Sequence, residues 1–224
     1  MVDYTVIKQK RKLATIHVQE DLKVIVKVPN TMTQKQIKAF VERYEPWVQK
    51  TLNQKTIKRQ QTDWLRTGKI LYQGDYKEIR IQKIIKGKEK IVLQEDLLIL
   101  NVKENATEET LRLLMKGFYK SKAQELLPQL TDYYAQLLGV TYEKVTIRQQ
   151  KTRWGSCSSK GNIAYNLNLM GAPINCIHYV VLHEVMHRCF FDHSSNFWKG
   201  IEEIMPDYKD RVNDLKIFGQ NFSI

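Results

Sequence analysis

The chain has 224 residues, 42% of them hydrophobic and 27% charged, with 10 Gly and 5 Pro. Those proportions exclude a collagen-like or disordered chain, and the length allows one large domain or two small ones. Lys and Arg outnumber Asp and Glu by 36 to 24, a net charge of +12; residues 1–60 hold 13 basic and 5 acidic residues, so a polyanion is a natural partner for that part, although lysines at strand spacing also guard sheet edges.

Residues 4–7, 14–18 and 22–28 are rich in β-branched side chains, and the third stretch alternates apolar and polar, which predicts three strands. Glu20-Asp21 supplies a turn and Pro29-Asn30 a stop. Thr33 reads as a helix N-cap, followed by Ile37, Phe40, Val41, Tyr44, Val48 and Leu52 at helical spacing. Pro46 is expected to kink or split this helix, and the polar residues 54–68 to form a linker. Residues 69–102 read as four short strands of a small antiparallel sheet.

From Thr107 the period becomes helical, with an interruption expected near Pro128 and an end at Gly139. Strands follow at 145–148 and 163–167, then a mostly apolar, buried helix over 174–192, and shorter helices near 194–204 and 207–217. The sum is an α+β protein. Its basic, β-rich N-terminal region covers 1–105 and carries one helix over 33–53; a second domain covers 106–224.

Cys157, Cys176 and Cys189 form no CxxC pair and suit a reducing compartment. No apolar run approaches about 18 residues, so no membrane helix is expected. The first twelve residues are basic without an apolar core and do not read as a secretion signal. A cytoplasmic protein with no membrane partner is expected.

Four of the five histidines lie between 178 and 193. His183 and His187 are four residues apart in the string His183-Glu184-Val185-Met186-His187. On a helix they share one face, one turn apart, and two imidazoles so placed can bind one Zn²⁺. Glu184 stands where its carboxylate can reach a water on the metal without ligating it. His193, six residues on, is the expected third ligand, with Glu202 or Glu203 as rivals. Three protein ligands leave a catalytic zinc its fourth position. His17 and His178 read as ordinary structural histidines.

Upstream, Arg148, Lys151 and Arg153 surround a Gly155-Ser156 segment that lets backbone run close to a ligand. This stretch reads equally as an edge strand for an extended peptide, a phosphate-gripping loop, or a basic turn anchored by Trp154.

Residues 153–157 (Arg-Trp-Gly-Ser-Cys), Asn166, Ala172-Pro173, Tyr179-Val180-Val181, the His183–His187 string, His193-Ser194, Phe197-Trp198 and Met205-Pro206-Asp207-Tyr208 together resemble the YgjP-like metallopeptidase family, related to the SprT and WLM zinc peptidases. The resemblance implies a minimal zincin-like domain with a buried HExxH helix, a zinc peptidase activity, and a position for Arg153 beside the metal. It also implies an alternative, because some members act as metal-dependent nucleotide pyrophosphatases on UTP. Hydrolysis would use His183, His187 and His193 as ligands and Glu184 as general base. Arg153, Lys151, Gly155, Ser156 and Asn166 are the expected substrate contacts, with Tyr165 also near enough to be considered as an oxyanion donor. Zn²⁺ is the expected ion, with Mg²⁺, Mn²⁺ or Co²⁺ as alternatives if phosphate oxygens must be bound. A third reading is a DNA-associated module whose basic N-terminal region docks on nucleic acid.

Overall fold

The computed structural model of the protein describes residues 2–19, 21–150 and 152–222, with backbone alone at 58–62, 220 and 221. Glu20 of the expected turn and Lys151 of the expected substrate contacts lie outside the described residues. The chain forms two compact units, Met1–Arg66 and Thr67–Ile224.

In the first unit, β3 (Val24–Pro29) lies between β1 (Thr5–Gln9), to which it is parallel, and β2 (Thr15–Val18), to which it is antiparallel. Alternation along β3 turns Val24, Val26 and Val28 inward, and Ile37, Val41 and Val48 of α1 (Gln34–Thr62) complete the core. Thr33 and Gln36 form a capping box: Gln36 N–H donates to Thr33 Oγ1 at 3.3 Å and Thr33 N–H to Gln36 Oε1 at 2.9 Å. Two expectations need correction. Pro46 does not split α1, because it forfeits one backbone bond while Val41 and Val48 stay buried on either side of it. Much of the expected linker is helical, through Thr62 and again in α2 (Trp64–Thr67). Its Gln, Lys and Arg residues are good helix formers, and no Gly or Pro interrupts them before Gly68.

The second unit starts with a four-stranded sheet of β4 (Lys69–Tyr72), β5 (Asp75–Lys83), β6 (Lys90–Gln94) and β7 (Leu97–Val102), in the order β4-β5-β7-β6. The sheet is mixed, not antiparallel as expected, since β5 and β7 run parallel. The 84–89 segment carries the chain past the position of β7, and the β6–β7 hairpin then lays β7 beside β5. Leu98, Leu100 and Val102 face the core.

α3 (Glu108–Leu138) follows, capped by Thr107, whose side chain accepts from Thr110 N–H, and ended by Gly139 at a left-handed φ of 64°. Pro128 lies inside it without ending it. Met115, Tyr119, Ala123, Leu127, Thr131 and Ala135 form a buried row at four-residue steps, the spacing that stacks side chains on one face. β10 (Asn162–Asn166) is the centre of a second sheet, parallel to β8 (Lys144–Arg148) and antiparallel to the edge strand β9 (Gly155–Cys157). A 3-10 turn over Leu167–Gly171 leads to α4 (Ile174–Met186), then α5 (Ser195–Ile204) and α6 (Tyr208–Asn221). α4 is shorter than the expected 174–192, ending where His187 caps it.

The expected boundary at 105/106 falls inside this second unit, between β7 and α3. The β4–β7 sheet is tied to the elements after it. Gln73 N–H donates to the Met170 carbonyl at 2.8 Å and Gly74 N–H to that of Gly171 at 3.2 Å. The Tyr119 hydroxyl donates to the Leu71 carbonyl. Gly74, at φ 93°, has no room for a side chain, since a Cβ there would stand 2.8 Å from Pro173 Cα. The β4–β5 turn therefore fixes the start of α4. Among the described residues no helix is long and apolar enough to cross a membrane.

Candidate metal centre

α4 is apolar on most sides, and its buried residues include Ile177, Val181, Leu182 and Val185. Such a helix is held rigidly by the core, which fixes what its last turn presents. That turn carries His183 and Glu184. His187 keeps right-handed helical dihedrals (φ −62°, ψ −10°) as the C-cap, so the four-residue spacing still aligns the two imidazoles. His193 comes from the turn between α4 and α5.

The three side chains converge. His193 Nε2 is 3.1 Å from His183 Nε2, and one ligand atom from each of His183, His187 and His193 lies within 4.8 Å of the others. Zn–N bonds of about 2.0–2.1 Å at tetrahedral angles place the nitrogens about 3.3 Å apart, so this trio fits a zinc ion. Among the described residues this donor cluster contains neither Glu202 nor Glu203; Glu202 pairs with Lys209 at 3.6 Å. Phe197, fully buried, lies against all three imidazoles at centroid distances of 5.0, 4.8 and 4.9 Å.

Neighbours hold the rings at Nδ1. His187 Nδ1 is 3.1 Å from the Phe190 carbonyl, which only accepts, so Nδ1 carries the hydrogen and Nε2 keeps its lone pair. Tyr179, one turn before His183 on α4, places its hydroxyl 3.4 Å from His183 Nδ1; a hydroxyl can donate or accept, so it orients the ring at Nδ1 and leaves the Nε2 edge facing the other two histidines. Burial, with smaller contributions from His187 and His193, pushes His183 down to about 3. Burial also lowers His187, against the opposing bond to Phe190. Neutral imidazoles are what a metal requires.

Glu184 is 5% exposed. Burial pushes its carboxyl up to about 8, and the Arg153 guanidinium pulls the other way. The backbone of Gly155 on β9 lies directly against it: a Cβ at 155 would stand 2.5 Å from Glu184 Oε1. Sequence reading placed Gly155 at the substrate; in the fold its lack of a side chain makes room for Glu184. Ser156, half-buried, pairs with Ala164 along the same strand. Arg153 is exposed.

Asn166 is 4% exposed and faces the loop before β9. Its amide nitrogen donates to the carbonyls of Gln150 (2.8 Å) and Arg153 (3.1 Å), and its oxygen accepts from Asn168 N–H at 3.1 Å. Both amide hydrogens are engaged in shaping the loop. Trp154 is anchored by α6, 5.5 Å from the Phe218 ring and so close to Gly219 that a Cβ there would meet its ring at 2.9 Å. Tyr165 is fully buried with its hydroxyl 3.0 Å from Thr131 Oγ1. Among the described residues the donor cluster does not include His17 or His178, whose rings are bonded to Thr15 and Tyr134 at 2.9 Å each. Sequence reading assigned no task to Tyr179, although its i, i+4 spacing from His183 is a usable signal.

A nitrogen-only donor set with a buried carboxylate beside it is the equipment of a metal-dependent hydrolase. The YgjP-like, metallopeptidase domain model matches residues 12–218, and the chain belongs to the YgjP-like metallopeptidase family. The crystal structure of the metallopeptidase zymogen of Pyrococcus abyssi abylysin is similar at 23% identity, over 44% of this chain and 100% of that one, with a TM-score of 0.40. Among curated proteins there is no match.

Proposed function

We propose that this chain is a zinc-dependent peptidase whose site is His183, His187 and His193 with Glu184 beside them. The observation that carries the reading is the convergence of three imidazoles, two of them on the helix end that also carries a buried glutamate. A bound Zn²⁺ supplies Lewis-acid polarisation and acidifies water. Glu184 takes the proton from the attacking water and hands it to the departing amine nitrogen. Its buried setting beside the two α4 histidines suits it to that transfer. The edge strand β9 (Gly155–Cys157) runs past Glu184 and offers backbone groups to an extended peptide. Asn166 holds the carbonyls of Gln150 and Arg153, and the exposed Arg153 offers a cation there.

The family is one of metallopeptidases, which favours a peptide over a nucleotide. A reducing, cytoplasmic setting agrees with three free cysteines, one of them exposed. Glu184→Gln should keep metal content near wild type while turnover on a degenerate peptide library falls by about 10²–10⁴. His187→Ala should lose the metal. Loss of metal from the Glu184 variant would make that residue a ligand and end this mechanism; hydrolysis of UTP but of no peptide would move the site to the nucleotide class.

A further inference from the structure

The three histidines differ in how they are held. His183 and His187 belong to the end of a buried helix, and each has an oxygen at Nδ1, from Tyr179 and Phe190. His193 lies on an exposed turn, yet its ring must keep a fixed orientation if its nitrogen is to meet the other two. Rings supply the hold. His193 stacks on Trp198 of α5 at 5.6 Å and 27°, Trp198 on Tyr208 of α6 at 5.7 Å and 17°, and Tyr208 on Tyr179 of α4 at 6.5 Å and 18°. These separations lie in the range of offset-stacked aromatic pairs. The Tyr179 hydroxyl then reaches His183 Nδ1 at 3.4 Å. The series starts at one proposed ligand, crosses three helices and returns to another.

We infer that Trp198, Tyr208 and Tyr179 are positioning residues, a continuous aromatic stack that presents His193 to the metal and couples its orientation to that of His183. The inference rests on the reading of His183, His187 and His193 as ligands. Groups behind a ligand that fix its ring orientation commonly control metal affinity by about 10–100-fold. Trp198 does this by ring contact, where Phe190 and Tyr179 use oxygen atoms.

The test measures Zn²⁺ affinity of the full chain by chelator competition, with the visible absorption of the Co²⁺-loaded protein. Wild type should bind one ion and His187→Ala none; an ion retained by His187→Ala overturns the ligand reading itself, and the stack then has nothing to position. With that control in place, Trp198→Leu should weaken Zn²⁺ binding by about 10–100-fold and change the Co²⁺ spectrum, yet still reach one ion per chain at saturation. Trp198→Phe, which keeps a ring in the stack, should recover most of the affinity. Tyr208→Leu removes the ring that joins Trp198 to Tyr179, and should also weaken binding, by less. Wild-type affinity and Co²⁺ spectrum in Trp198→Leu overturn the inference. So does a loss of affinity confined to variants whose metal-free form no longer melts cooperatively, because the rings are then packing alone.

Discussion

At the residue scale, the contact between Gly155 and Glu184 makes the sharpest prediction. A methyl group at 155 has to displace the carboxylate, since it would stand 2.5 Å from Oε1 and 2.8 Å from Cδ. Gly155→Ala should therefore leave metal content intact and lower turnover by about 10²-fold, the usual cost of misplacing a catalytic group by about an ångström. Zinc analysis beside a peptide assay checks this, and unchanged turnover would show that Glu184 has room to move. The histidines were legible in the sequence because their spacing is local. Two are joined by a helical turn and the third by six residues. Gly155 and Glu184 are far apart in the chain and meet only because β9 lies beside α4, so no spacing rule announces their contact. Asn166 shows the same limit. The family resemblance makes it an expected substrate contact, and only the fold reveals that its amide bonds the carbonyls of Gln150 and Arg153.

At the element scale, alternation in β3 and the four-residue row in α3 were legible because each element repeats its own burial pattern. The parallel pairing of β5 with β7 was not, since periodicity gives a strand its faces and leaves its neighbours open. β9 is three residues of Gly, Ser and Cys with no strand pattern, and β10 makes it a strand. Neither Pro46 nor Pro128 ends its helix: a proline removes one donor, and a helix with a long buried face survives that loss. The start of α3 is more sensitive than its middle. Thr107 and Thr110 form its capping box, so Thr107→Ala should cost about 1 kcal/mol of stability. Urea denaturation should show a lower midpoint with the slope unchanged.

At the scale of the whole molecule, the site and every group described around it belong to the unit Thr67–Ile224. A fragment of residues 63–224, which retains α2, should bind one Zn²⁺ with the affinity of the full chain. A weaker affinity in that fragment would give the basic first unit a part in the site. Within the second unit, α6 follows all three histidines in the sequence and is therefore synthesised after them. It brings Tyr208 to Trp198 and presses Phe218 and Gly219 on Trp154, next to the glycine that accommodates Glu184. A growing polypeptide thus displays its histidines before the helix that steadies them exists. On the proposed reading, the metal donors are therefore made before the aromatic stack that orients them is complete.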